Sequence, residues 1–200
     1  MKKLPPFDHW QPYSLSEVRQ KLQGLDWILA GGVALKQFVG KAYRTHDDID
    51  ILVQRDNQHS ISQYIPHKQL FVAAIPGQLI PLDTQKYYDK PIQDIWCLNG
   101  GNTAWSLQMM LFDVEDSFWV YKRNPAICLP LSQIYFEKEG VKILNPEIQL
   151  LYKSNTIRPK DQLDFEAIMP LLSKKAKLWL REALMICYDN KHLWLPCFNI

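Results

Sequence analysis

Two rhythms of apolar residues run along the chain. Through the first 144 residues they come in short runs or alternate with polar ones, the period of β-strands; beyond that they recur every three to four residues, the period of helices. Ser14 to Glu17 has the form of a capping box and predicts a short helix ending near Gly24. Trp27 to Ala30 reads as a buried strand, interrupted by Gly31-Gly32. Ala34, Leu35, Phe38 and Val39 then fall at helical spacing, and Gly40 suits the helix end. After a polar loop, 41–46, the alternation of acidic and apolar residues from Asp48 to Val53 predicts another strand. A short helix over about 57–65, opened by Asp56, follows it.

The middle is strand-rich. Leu70 to Ile75 and Gln78 to Leu82 form one expected pair. Gln93 to Leu98 and Ala104 to Phe112 form another, around the hairpin turn Asn99-Gly-Gly-Asn102. Further strands are expected at Trp119 to Lys122 and, after the turn Glu137 to Gly140, at Val141 to Leu144. Asn145-Pro146-Glu147 then opens a helix to about Ser154, and two more are expected near 161–169 and 174–187. The expected class is α/β (α+β). An α/β part occupies residues 1–144 and a helical carboxy-terminal subdomain occupies 145–200.

Composition narrows the functions open to such a chain. Apolar residues at 47% suffice for a packed core. A formal charge of +2 argues against a protein that binds nucleic acid by broad phosphate neutralisation. No apolar run is long enough to span a bilayer, and the start, with Lys2 and Lys3 but no apolar stretch behind them, does not read as a secretion signal. Cys97, Cys128, Cys187 and Cys197 lie far apart without a paired motif, as expected of a reduced cytoplasmic protein.

The informative segment is 27–53. Side chains two apart on a strand share a face, so Asp48 and Asp50 project together while Ile49 and Ile51 turn inward. Adjacent carboxylates repel unless a positive charge lies between them, and a magnesium ion, which prefers hard oxygen ligands, supplies it. Gly31 and Gly32 lack side chains that would keep a phosphate from the backbone, and the following helix offers its positive end. Taken singly, a Gly-Gly is an ordinary turn and an Asp-x-Asp an ordinary solvated strand face. The order strand, Gly-Gly, helix, basic loop, acidic strand favours the two parts that phosphoryl or nucleotidyl transfer requires.

The stretch Gly31-Gly32-Val33-Ala34-Leu35, followed by Gly40, Arg44 and His46-Asp47-Asp48-Ile49-Asp50, resembles the signature of the DNA polymerase beta-like nucleotidyltransferase superfamily. Within it, the likeness is to the small antibiotic-modifying adenylyltransferases of the aminoglycoside 2″ and lincosamide types, with Val33 standing where their pattern has tryptophan. Leu150 to Lys153 and Arg158-Pro-Lys-Asp161, with Asp164, are similar to carboxy-terminal segments of uncharacterised members. The resemblance implies Asp48 and Asp50 as the catalytic metal-binding pair, Gly31 and Gly32 as the seat of the triphosphate, and Arg44 near the phosphates. Lys153 and Lys160 are the carboxy-terminal candidates for the same phosphates, and Asp161 and Asp164 are expected to cap or brace their helix. His46 either orders the loop or takes part in the site, and Asp47 points away from it.

The chain departs from that pattern at the later strand carboxylate, where Gln108 stands. A glutamine cannot accept the proton of an attacking hydroxyl. Asp113 and Glu115 are the nearby candidates for that base. The expected activity is magnesium-dependent transfer of a nucleoside monophosphate from a nucleoside triphosphate, ATP by the resemblance, to a hydroxylated small molecule. A nucleotide-binding protein that has lost catalysis, and a toxin-like transferase acting on RNA or protein, are the alternatives. A polycationic acceptor would need an acidic pocket, for which Asp83, Asp89, Asp94, Asp113, Glu115 and Asp116 are the available acids.

Overall fold

The structure, a computed structural model, describes residues 4–75 and 77–198. In chain order its elements are α1 (Leu15–Lys21), β1 (Ile28–Ala30), α2 (Gly31–Val39), β2 (Asp50–Gln54) and α3 (Ile61–Tyr64). Then come β3 (Leu70–Ile75), β4 (Gln78–Pro81), β5 (Asp94–Leu98), β6 (Trp105–Glu115), β7 (Phe118–Val120) and β8 (Cys128–Pro130). The last are β9 (Tyr135–Lys138), β10 (Val141–Leu144), α4 (Pro146–Lys153), α5 (Pro159–Ile168) and α6 (Lys174–Tyr188). This is the mixed α/β class that the alternating and helical rhythms predict. β8 and β9 escaped the sequence reading: β8, Cys128–Pro130, ends on a proline, and Glu137 and Lys138, read there as part of a turn, belong to β9.

The chain forms two compact units, one of residues 1–29 and 46–112, the other of 30–45 and 113–200. The helix after the glycine pair and the strands β7 to β10 belong with the carboxy-terminal helices, because α2 packs its apolar face on α4 and α5.

The first unit is built on neighbouring strands in the order β4-β3-β5-β6-β2-β1. β2 runs parallel to β6, with Asp50 opposite Gln108, while β5 and β6 form the expected antiparallel hairpin, with Trp96 opposite Gln108. In β2 the side chains of Ile51, Leu52 and Val53 are buried, as are Ile95 and Cys97 of β5 and Leu107, Met109 and Leu111 of β6. α1 opens on the capping box: the Glu17 amide donates to Ser14 Oγ and the Ser14 amide to Glu17 Oε2. Arg55 is buried and donates through Nη1 to the carbonyls of Tyr88 and Ile92, tying down the loop before β5.

In the second unit, β6 ends by pairing with β7, and β7 with β8; β9 pairs antiparallel with β10 around the turn at Glu139 and Gly140. Trp119, Tyr121 and Tyr152 form a buried aromatic group closed by Arg123, whose Nη1 donates to the Tyr152 carbonyl. Phe165 stacks on Trp194 with ring centroids 4.4 Å apart. No described helix is long and apolar enough to cross a membrane.

Candidate active site

β2 begins at Asp50, two residues later than the sequence predicts, and Ile51, Leu52 and Val53 are all buried, so the alternation holds only from Asp48 to Ile51. Ile49 and Ile51 are buried, at 2% and 0% exposure, while Asp48 and Asp50 are half-buried between them. The Gln108 amide donates to the Ile49 carbonyl at 3.0 Å, extending the parallel ladder toward Asp48. His46 is half-buried and Asp47 is exposed. The first unit thus supplies two neighbouring hard-oxygen donors. Among the described residues no group of three or more His, Cys, Asp or Glu side chains converges as a metal site. Two carboxylates are what magnesium ordinarily takes from a protein when substrate phosphates and water complete its shell, so the donor set fits that ion.

Gln108 does not stand alone at the position opposite Asp50. Its Nε2 donates to Asp94 Oδ1 at 3.0 Å. Asp50 on β2 and Trp96 on β5 stand directly opposite Gln108 on β6, and Asp94, two residues before Trp96 on the same face of β5, meets Gln108 on the diagonal. A carboxylate thus stands on the strand next to β6, hydrogen-bonded to the glutamine. The sequence reading counted Asp94 only as one acid of a cluster. The hairpin turn at Asn99 to Asn102 carried the missed signal, since it fixes the register that sets Asp94 beside Gln108. Asp113 and Glu115, the candidates named for that base, stand opposite Val120 and Phe118 in the β6–β7 hairpin, where Glu115 is exposed at the end of β6 beside the turn Asp116-Ser117.

The glycine pair lies in the second unit. Gly31 adopts φ +68°, a left-handed conformation that explains a glycine there, and α2 follows directly. Its amide donates to the buried Gln149 Oε1 at 2.7 Å, while Ala30 at the N-cap adds no side-chain bond. One amide of the helix end that was expected to face phosphate is thus held by protein.

The same unit gathers the basic candidates around two carboxylates. Asp164 and Asp161 are buried, at 0% and 1% exposure. Arg44 donates to Asp164 through Nε at 2.6 Å and Nη2 at 2.8 Å, and the Tyr43 hydroxyl donates to the same carboxylate at 2.8 Å. Lys153 Nζ lies 3.0 Å from both Asp161 Oδ1 and Asp164 Oδ2. Arg158 closes the cluster, its Nε 2.7 Å from Asp161 Oδ2 and its backbone amide donating to the same oxygen. Burial pushes both carboxyls up, but the hydrogen bonds and cations outweigh it: Asp161 is held at about 2, and Asp164 below the usual carboxylate range. Burial and the Asp164 charge raise the Tyr43 hydroxyl. Asp161 caps its helix through the Arg158 amide, and together Asp161 and Asp164 fix Arg44 and Lys153 in place. Lys160, half-buried, sits in the first turn of α5 behind Pro159.

No protein-family model matches the chain, nor does any curated protein sequence. Solved structures do. The lincosamide antibiotic adenylyltransferase LnuA with lincomycin bound aligns with a TM-score of 0.56 at 15% identity, over 82% of this chain and 99% of that one. ANT(2″)-Ia in complex with adenylyl-2″-tobramycin aligns with a TM-score of 0.53 at 13% identity, over 84% and 94% of the two chains. The solution structure of ANT(2″)-Ia gives a TM-score of 0.53 at 14% identity. The chain therefore has the fold of these small antibiotic nucleotidyltransferases, as the motif around Asp48 and Asp50 implies.

Proposed function

We propose that this chain is a magnesium-dependent nucleotidyltransferase that moves a nucleoside monophosphate, most simply from ATP, to a hydroxyl of a small molecule. The observation that carries the reading is that Asp50 stands opposite Gln108, which holds Asp94 of the next strand by a hydrogen bond, with Asp48 half-buried two residues before Asp50. The fold it shares with LnuA and ANT(2″)-Ia supports it.

Asp48 and Asp50 would hold the magnesium ion, which would supply positive charge to the phosphates of the nucleotide. Asp94 accepts the proton of the attacking hydroxyl, and Gln108 keeps one oxygen of that carboxylate in a fixed direction. The hydroxyl oxygen bonds to the α-phosphorus as the bond to pyrophosphate breaks. The Gly31-Gly32 turn receives the β and γ phosphates, and Arg44, Lys153 and Lys160 supply the positive potential around them. Arg44 and Lys153 are held by buried carboxylates, so little side-chain entropy remains to be lost when the nucleotide arrives. Four thiols without a disulfide and a nucleotide substrate suit a reducing, ATP-rich compartment such as the cytoplasm.

Incubation with α-labelled and, separately, γ-labelled ATP, magnesium and a mixture of hydroxylated small molecules tests the reading. Label from the α position should enter a new small product, label from the γ position should leave as pyrophosphate, and Asp50→Ala should abolish both. Nucleotide binding without either product overturns it, and so does α label in RNA or protein alone.

A further inference from the structure

On the first unit, a cavity of about 370 Å³ opens beside the Asp94–Gln108 pair. Its walls are largely apolar, with Ala73 from β3, Leu79 from β4, Ile92 before β5 and Trp96 on β5. Trp96 is fixed edge-on against Trp105 at 5.3 Å and against Phe7 at 5.9 Å, and so forms a rigid aromatic wall. Among the described residues lining the cavity, Asp94 is the only ionisable side chain. Of the six acids that an acidic pocket would have drawn on, it is the one that reaches this space.

Resting on the transfer reading above, we infer that this cavity is the acceptor site and that it takes a compact molecule with an apolar or aromatic body, one hydroxyl and at most one positive charge. The apolar walls take the body out of water, which drives binding. A lone carboxylate, already hydrogen-bonded to Gln108, satisfies one hydroxyl or one cation and no more. Several ammonium groups placed there would lose their hydration against walls that offer no second counter-charge. The hydroxyl that reaches Asp94 is the one whose proton that carboxylate takes, while the apolar body lies toward Trp96 and Leu79. The site thus selects against polycationic polyols by its construction.

The probe for the test is 2-(2-naphthyl)ethanol, whose fluorescence reports transfer from water to an apolar site; 2-deoxystreptamine is the cationic polyol to set against it. The full-length chain should bind the naphthyl alcohol saturably without nucleotide. Ala73→Phe, which fills the cavity, and Leu79→Ser, at a half-buried edge-side position, should each weaken binding about tenfold, the equivalent of one large apolar contact. Asp50→Ala should leave that affinity within about twofold, since binding at this level is set by the walls. Competition by 2-deoxystreptamine, or unchanged affinity in both wall variants, overturns the inference. Adding α-labelled ATP and magnesium separates the two claims. Label on the naphthyl alcohol supports both. Wall-dependent binding with no label on any acceptor keeps the ligand class and sinks the transfer reading. Label on 2-deoxystreptamine with none on the alcohol sinks this inference alone.

Discussion

The side-chain amide of Gln108 donates to Asp94 Oδ1 at 3.0 Å, so a neutral residue on β6, the strand next to that of Asp50, fixes a carboxylate on β5. If that carboxylate is the base, Asp94→Asn should lower the transfer rate by about 10²- to 10⁴-fold, the usual worth of a positioned general base, with little change in the melting temperature. Single-turnover rates and a thermal melt on one preparation check this.

Gln108 acts on that base through its hydrogen bond. Gln108→Glu replaces a donor with a like charge, which disfavours ionisation of Asp94. The acid limb of the pH–rate profile should move upward in this variant and, by less, in Gln108→Ala, which removes a hydrogen bond to the charged carboxylate. A purely structural glutamine would leave the position of the limb unchanged in both.

The buried cluster around Asp164 makes a prediction about stability. Asp164→Asn removes a counter-charge from Arg44 and Lys153 and should cost about 3 kcal/mol, the range found when one partner of a buried ion pair is removed. Urea unfolding at neutral pH measures it.

The same cluster sets an acid dependence. The carboxyls of Asp161 and Asp164 ionise at lower pH in the folded chain than in the unfolded one, so their stabilisation is complete above the unfolded value of about 4. It is lost as pH falls toward the folded value of about 2 for Asp161. The urea midpoint of the parent chain should drop through that window, and Asp164→Asn should flatten the drop.

Gly31 is required by conformation. At φ +68° an alanine is strained, so Gly31→Ala should destabilise by about 1–3 kcal/mol. Gln149→Leu, which strips the buried Gly31 amide of its acceptor, should cost about 1–3 kcal/mol as well. Denaturant midpoints read both.

Much of this was legible in the sequence because local chemistry determined it. Ile49 and Ile51 alternate with Asp48 and Asp50, so the face of the acidic strand followed from a period of two. Ser14, Gly40 and Pro146 each mark a helix end by a local rule, and each helix end falls there. What stayed hidden depends on distant pairings. Asp164 meets Arg44 across 120 residues, and Gln149 meets Gly31 across 118, and neither pairing has a local signature. Asp94 lies between these cases: the hairpin turn beside it was recognised, but its register had to be counted through a bulge between Cys97 and Leu98 before the carboxylate fell beside Gln108.

The account rests on Asp48 and Asp50 sharing a divalent cation. The most direct measurement is manganese binding followed by electron paramagnetic resonance, with a non-hydrolysable ATP analogue present. Saturable uptake of manganese by the parent chain, lost in both Asp48→Ala and Asp50→Ala and displaced by magnesium, is the predicted result. Uptake that survives in either variant, or none in the parent, contradicts it.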